Sequence, residues 1–298
     1  LAWDVAWELT RRLPEAAAFA LADACGRLAC RLAPRTRRRL RSNLGRVVAS
    51  GGSGRSLDEL VADAFRSYAR YWVEAFRAAD LDPAELHRRT STDGTVHLDA
   101  ALEQGRGVVV LLAHHGSWDI AARWGEAHGY HLAVVAEVVR PRRVFEKFVR
   151  LRERVGLEVV PLRRGEGLVG RLGQVLTDNH LVGLLADRDL TGRAPVVELF
   201  GEQARVPAGA VLLSKRTGAA IVPATMLQRP GRRWHLQVLP PLDVQALSLE
   251  EGCSAAAGAI EQLVMLDPAQ WHAFQPVWLA DQSGRQPQPA DDDPRSPP

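Results

Sequence analysis

At 298 residues and 32.7 kDa, with 46% hydrophobic and 24% charged residues, the chain is long enough to bury a sizeable core and too ordinary in composition for a fibrous repeat or a fully disordered coil. Basic and acidic residues nearly balance (38 against 35), yet residues 1–50 carry ten arginines against four carboxylates (Asp4, Glu8, Glu15 and Asp23), a local excess that suits an anionic surface. The cysteines Cys25, Cys30 and Cys253 have neither CxxC nor metal-ligand spacing, which argues against a disulfide scaffold or a zinc module and fits a reducing cytoplasm.

Taken in chain order, the first hundred residues read as mostly helical. Apolar residues recur at helical spacing over 3–33 (Trp3, Trp7, Phe19, Leu21, Leu28, Leu32) with arginines between them, which predicts one or two amphipathic helices. Asp23, Arg27 and Arg31 make this stretch too charged to span a membrane. A basic helix follows Pro34, and residues 57–79 form another that carries Phe65, Tyr68, Tyr71, Trp72 and Phe76.

The pattern changes at Gly107. The continuous apolar run Val108–Leu112 has the length of a buried strand, and strand-like segments at 131–136, 157–161, 181–186, 196–200, 219–227 and 234–239 alternate with helical ones at 118–128, 144–154, 167–178, 208–216 and 249–266. This predicts an α/β fold with a largely parallel central sheet flanked by helices and the amino-terminal amphipathic helices added to it. One folded unit is expected over 1–280, with a mostly helical, membrane-associating part at 1–95 and the α/β core at 105–280. The proline-rich and acidic stretch 281–298 is expected to be a disordered tail.

Three segments could carry chemistry. Immediately after the first strand comes Ala113-His114-His115-Gly116-Ser117-Trp118-Asp119. In an α/β sheet this is the edge where ligands bind. Gly116 allows a sharp turn, Ser117 can cap the next helix, and Asp119 in its first turn could reach back to an imidazole and orient it as a general base. On spacing alone His114 and His115 both qualify as that imidazole. A second cluster, Asp187, Arg188 and Asp189 at a later strand end with Glu202 beyond it, could bind a polar acceptor or be an ordinary ion-pair cluster. Glu137 and the arginines after it, Arg152 among them, follow another strand.

The third segment is a literal GxGxxG from Gly165 to Gly170, which leaves a dinucleotide-dependent enzyme as an alternative, although Arg163 and Arg164 would occupy its tight turn. No GxSxG, HExxH or nucleic-acid module occurs, so neither a metal nor a nucleic acid is expected.

With the strand and His114 to Asp119, the Asp187-Arg188-Asp189-Leu190 turn, Phe200-Gly201-Glu202 and the closing Trp271-His272-Ala273-Phe274-Gln275-Pro276-Val277-Trp278-Leu279, the chain resembles the bacterial lipid A biosynthesis acyltransferase family from about Trp3 to about Ala280. The likeness is strongest to members that act on phosphatidylinositol mannosides. It implies a glycerolipid-acyltransferase-like fold that moves a long acyl chain, such as palmitoyl, from acyl-CoA to a mannose hydroxyl at the cytoplasmic face of the cell membrane, peripherally bound to anionic lipid. Acyl-CoA would be a co-substrate, with no further cofactor. The same family also uses other glycolipid or lysophospholipid acceptors. The resemblance puts His114 in the position of the catalytic histidine and Asp119 in that of its acidic partner. It makes Glu137, Arg152, Asp187, Arg188, Asp189 and Glu202 substrate-site residues.

Overall fold

The computed structural model describes residues 2–51, 53–137, 142–162, 167–189 and 191–282. Its amino-terminal part consists of α1 (Ala2–Arg12), α2 (Glu15–Leu32), α3 (Pro34–Ala49) and α4 (Leu57–Arg77). Prolines punctuate it: Pro14 separates α1 from α2, and Pro34 opens α3, where a missing N–H costs nothing. Ser56 and Glu59 close a reciprocal capping box at the start of α4.

The helix α2 reverses the usual amphipathic order. Its buried stripe is Ala18, Ala22 and Gly26, and a Cβ on Gly26 would lie 2.8 Å from the α4 backbone at Phe65 and Arg66, so small residues let the two helices close up. The large side chains Leu21, Leu28 and Leu32 face outward, 45%, 54% and 71% exposed. By contrast α3 buries Leu40, Leu44 and Val47 completely in the main core.

After α5 (Pro83–Arg89), β1 (Thr90–Asp93) and α6 (Val96–Leu102) the chain alternates: β2 (Val108–Leu112), α7 (Trp118–Ala127), β3 (Leu132–Glu137), α8 (Arg142–Glu153), β4 (Leu157–Leu162), α9 (Gly167–Thr177) and β5 (Leu181–Leu185). A hairpin of β6 (Val196–Leu199) and β7 (Glu202–Arg205) turns through Phe200 and Gly201, both at positive φ as a two-residue turn of that hand requires. Then follow α10 (Gly209–Thr217), β8 (Ala220–Arg229), β9 (Arg233–Val238), α11 (Leu249–Met265) and the short α12 (Leu279–Gln282).

Seven strands form one sheet in the order β1-β9-β8-β2-β5-β3-β4, parallel throughout except for the β8–β9 pair. The expected largely parallel α/β architecture is therefore the observed one. β2 reads as an unbroken apolar run because both its faces are covered: Val109 and Leu111 belong to the core cluster shared with α3, α4 and α11, while Val108 and Val110 belong to the opposite one with α6 and α7. Among the described residues no helix is long and apolar enough to cross a membrane.

Two strands escape the sequence pattern, β1 and β7, whose polar sequences TSTD and EQAR carry no apolar signal. Asp281 and Gln282, assigned by composition to the tail, instead belong to α12, where Asp281 pairs with Arg46. Residues 283–298 of the expected tail lie outside the described residues.

Candidate active site

The carboxyl ends of β2 and β5 place two short connections side by side. Ala186 continues the ladder by donating its N–H to the Leu112 carbonyl, which sets Asp187 beside His114. His114 Nδ1 lies 2.7 Å from Asp187 Oδ1, and the His114 backbone N–H donates to Asp187 Oδ2 at 3.1 Å. The Trp271 indole N–H donates to the same Oδ2 at 2.9 Å. Burial pushes the Asp187 carboxyl up, but the His114 ring and these N–H donors outweigh it and hold it down at about 2. An ionised carboxylate only accepts, so Nδ1 carries the proton of the neutral ring and Nε2 is its basic nitrogen.

The local chain path depends on Gly116, at φ +67°, where a Cβ would collide with the Met226 carbonyl oxygen at 2.1 Å. Its N–H donates to Gln270 and that of Ser117 to Met226, which ties the loop to the segment before α12 and to β8. Ser117 does not cap α7. Its hydroxyl donates instead to the buried carboxylate of Glu74, which also receives Arg70, Gln228 and the Trp234 indole N–H. Glu74 is thus a fully partnered buried anion that fixes the turn from α4.

Asp119 does not pair with His114, contrary to the expectation from spacing. α7 turns its carboxylate toward α4 and α8, where Oδ2 accepts from the Tyr71 hydroxyl at 2.6 Å and Oδ1 from Arg152 Nε at 3.0 Å. Asp119 keeps Arg152 protonated, and burial, aided by Asp119, raises the Tyr71 hydroxyl well above its ordinary range. His115 is a structural residue: fully buried, it places Nε2 2.9 Å from the Asp267 carbonyl and Nδ1 3.0 Å from the Thr225 hydroxyl, and burial lowers its pKa.

His114, Asp119, Arg152, Arg188 and Asp189 line the mouth of a cavity of about 520 Å³ whose remaining walls are almost entirely apolar. Asp189 also accepts from Thr191 and Ala194 and so shapes the loop after β5. Glu202 is not among the described residues lining the cavity. It begins β7 and pairs with Arg46 of α3 at 2.9 Å, because the hairpin turns its side chain toward the amino-terminal helices. Glu137 ends β3, and its side chain lies outside the described residues.

Sequence reasoning gave Asp187 a substrate role and passed over Tyr71 and Glu74, whose only signal was their place on an aromatic helix. The GxGxxG pattern straddles the described residues. Gly170 sits inside α9 with open space where a Cβ would go, so no close approach requires it, and Gly165 lies outside the described residues.

The family model for bacterial lipid A biosynthesis acyltransferases matches residues 2–280. The phosphatidylinositol mannoside acyltransferase of Mycolicibacterium smegmatis is 37% identical over 284 residues, covering 95% of this chain and 92% of that protein. The protein of the same name from Mycobacterium tuberculosis is 37% identical over 286 residues, covering 95% and 89%. A match over nearly the whole chain, with the strand-end histidine at the mouth of an apolar cavity, means that the chain belongs to the bacterial lipid A biosynthesis acyltransferase family.

Proposed function

We propose that this acyltransferase moves a long acyl group from acyl-CoA to a mannose hydroxyl of a phosphatidylinositol mannoside, with His114 as general base. The observation that carries this reading is the His114–Asp187 pair at the mouth of an apolar cavity: a base beside the polar edge, and behind it a space that suits hydrocarbon. His114 Nε2 takes the proton of the acceptor hydroxyl as its oxygen attacks the thioester carbonyl. The tetrahedral intermediate then collapses, the C–S bond breaks, and the imidazolium returns the proton to the departing CoA sulfur. Asp187 holds the ring tautomer and stabilises the imidazolium without itself taking the proton.

Transfer is direct in this reading: of the hydroxyls among the described residues that line the cavity, Thr191 donates to Asp189, Thr225 to the His115 carbonyl and Tyr130 to Asp99, so none is paired with His114 as an activated nucleophile would be. The backbone N–H groups of Gly116 and Ser117 are already spent on Gln270 and Met226, so stabilisation of the oxyanion falls to an arginine at the mouth, Arg188. Glu137 and Asp189 serve the sugar hydroxyls, and Arg152, locked by Asp119, fixes the cavity wall. The reaction so written needs no metal and no cofactor.

Both substrates reside in or at a membrane, and the outward leucines of α2, with Arg27 and Arg31 beside them, form an apolar and basic face suited to anionic lipid at the cytoplasmic surface. The test is transfer of radiolabelled palmitoyl from palmitoyl-CoA to a phosphatidylinositol mannoside. Product from wild type and a loss of about 10²–10⁴-fold in folded His114→Ala is expected. Near-normal turnover by His114→Ala removes the proposed base. Product from neither protein overturns the donor and acceptor assignment and directs attention to acyl-carrier-protein donors.

A further inference from the structure

The floor of the cavity is a ladder of parallel strands whose rungs follow from register. On the face toward α7 the upper rung pairs Leu112 with Leu185, the middle one aligns Val110, Gly183 and Val134, and the lower one aligns Val108, Leu181 and Leu132. His114 stands beyond the upper rung, at the carboxyl ends. Because α7 runs back down the sheet, Trp124 and Tyr130 close the space near the lower rung, with ring centroids 6.1 Å apart.

Gly183 is anomalous in this setting. It lies mid-strand in the sheet interior, where glycine weakens a strand; its ladder with β2 runs unbroken from Leu181 to Leu185, and the ladder with β3 ends at Gly183 itself. Gly183 also lines the cavity, where the missing side chain lets an occupant come close to the backbone. A Cβ built there would stand 3.3 Å from Val134 Cγ1, 3.5 Å from Leu132 Cδ1 and 3.6 Å from Leu112 Cδ1, in the middle of the cavity floor.

We propose that Gly183 sets the acyl-chain length the cavity accepts: it is the low point over which the hydrocarbon passes from the mouth at His114 to the blind end at Trp124 and Tyr130. This rests on the acyl-donor reading above. The upper and lower rungs are four residues apart, about 13 Å at about 3.3 Å per residue, and Gly183 lies halfway. A side chain there ends the usable space at mid-depth and turns the distal methylenes of a long chain out of the cavity, at about fourfold in affinity for each.

The experiment measures binding of two non-transferable thioethers, S-hexadecyl-CoA and S-octyl-CoA, by calorimetry to wild type, Gly183→Ala and Gly183→Val, with melting temperatures recorded alongside. Wild type binds the hexadecyl compound more tightly. Gly183→Val holds the octyl compound within about twofold and loses on the order of 50-fold for the hexadecyl one, the equivalent of about three displaced methylenes. Gly183→Ala, which asks only a small shift of Val134, moves the ratio in the same direction by less and decides the matter if the valine variant does not fold. An unchanged hexadecyl-to-octyl ratio in the folded variants, or equal loss of both compounds, overturns the role of Gly183. Absence of any chain-length preference in wild type instead marks failure of the donor reading itself.

Discussion

Asp187 grips His114 twice, through the ring at 2.7 Å and through the backbone N–H at 3.1 Å, and is itself steadied by the Trp271 indole. The two residues are 73 positions apart, joined only because β2 and β5 are neighbours in the sheet. Replacing the carboxylate by an amide lets the ring adopt the wrong tautomer and leaves the imidazolium without its counter-charge. Asp187→Asn is therefore expected to lower kcat by up to about 10⁴-fold while the fold persists. Steady-state kinetics beside a circular-dichroism spectrum check this, and a folded variant with ordinary turnover would falsify the pairing.

Asp119 acts on a different partner, and its variants should differ in kind. Its carboxylate is 5% exposed and bridges Arg152 and Tyr71, so Asp119→Ala strands a partly buried guanidinium and is expected to cost about 3 kcal/mol in urea unfolding. A double-mutant cycle with Arg152→Ala should recover part of that loss, because removing both partners leaves no uncompensated charge. Residual turnover of Asp119→Asn should keep the wild-type pH profile, since His114 retains Asp187. A displaced profile would mean that Asp119 does govern the base.

The fold was legible where burial on both faces forces a continuous apolar run, as in β2 and β5, and where a proline opens a helix, as at Pro34. It was not legible for β1, an edge strand whose residues are mostly exposed, or for β7. The HxxxxD spacing drew attention to a loop that lies at the cavity, but the carboxylate paired with His114 is Asp187 and not Asp119. Chain distance cannot reveal that the first turn of α7 points Asp119 at α4, or that the carboxylate beside His114 comes from another strand. Glu202 misled for a related reason, since the hairpin that carries it turns it away from the sheet edge.

Two buried histidines make stability depend on mild acid. Burial, with the neighbouring His115 and His114, holds His272 well below its ordinary 6.5, and burial lowers His115 as well. Both are neutral when folded and take up protons on unfolding below pH 6.5, so their contribution is complete above 6.5 and is lost as pH falls from there. Asp187 acts lower: held down at about 2 against an unfolded 3.8, it contributes fully above 3.8 and fails only as pH drops toward 2. Urea unfolding at pH 7.5 and pH 5 should thus show weaker folding at pH 5, from the histidines alone. His272→Phe, placed among Tyr68, Tyr71 and Trp118, should flatten that dependence, with His115 supplying what remains. An undiminished slope would locate the titrating group elsewhere.

The inverted helix α2 makes the proposed membrane binding separable from folding. Its small face is committed to α4, whereas Leu28 and Leu32 project outward, so glutamate at both positions removes apolar area from the outer face without touching the core. Leu28→Glu/Leu32→Glu is expected to bind vesicles containing anionic phospholipid at least about tenfold more weakly, with an unchanged melting temperature. Added salt should weaken wild-type binding too, because arginines of the same face contribute. Deleting the amino-terminal helices would be a poor substitute, since α3 buries Leu40, Leu44 and Val47 in the core and Asn43 donates to the Ala273 and Gln275 carbonyls beside the site. Co-sedimentation of the double variant at wild-type levels would move the lipid contact to another face. The most direct rival is then the exposed Val169 and Leu212, which line the cavity from α9 and α10.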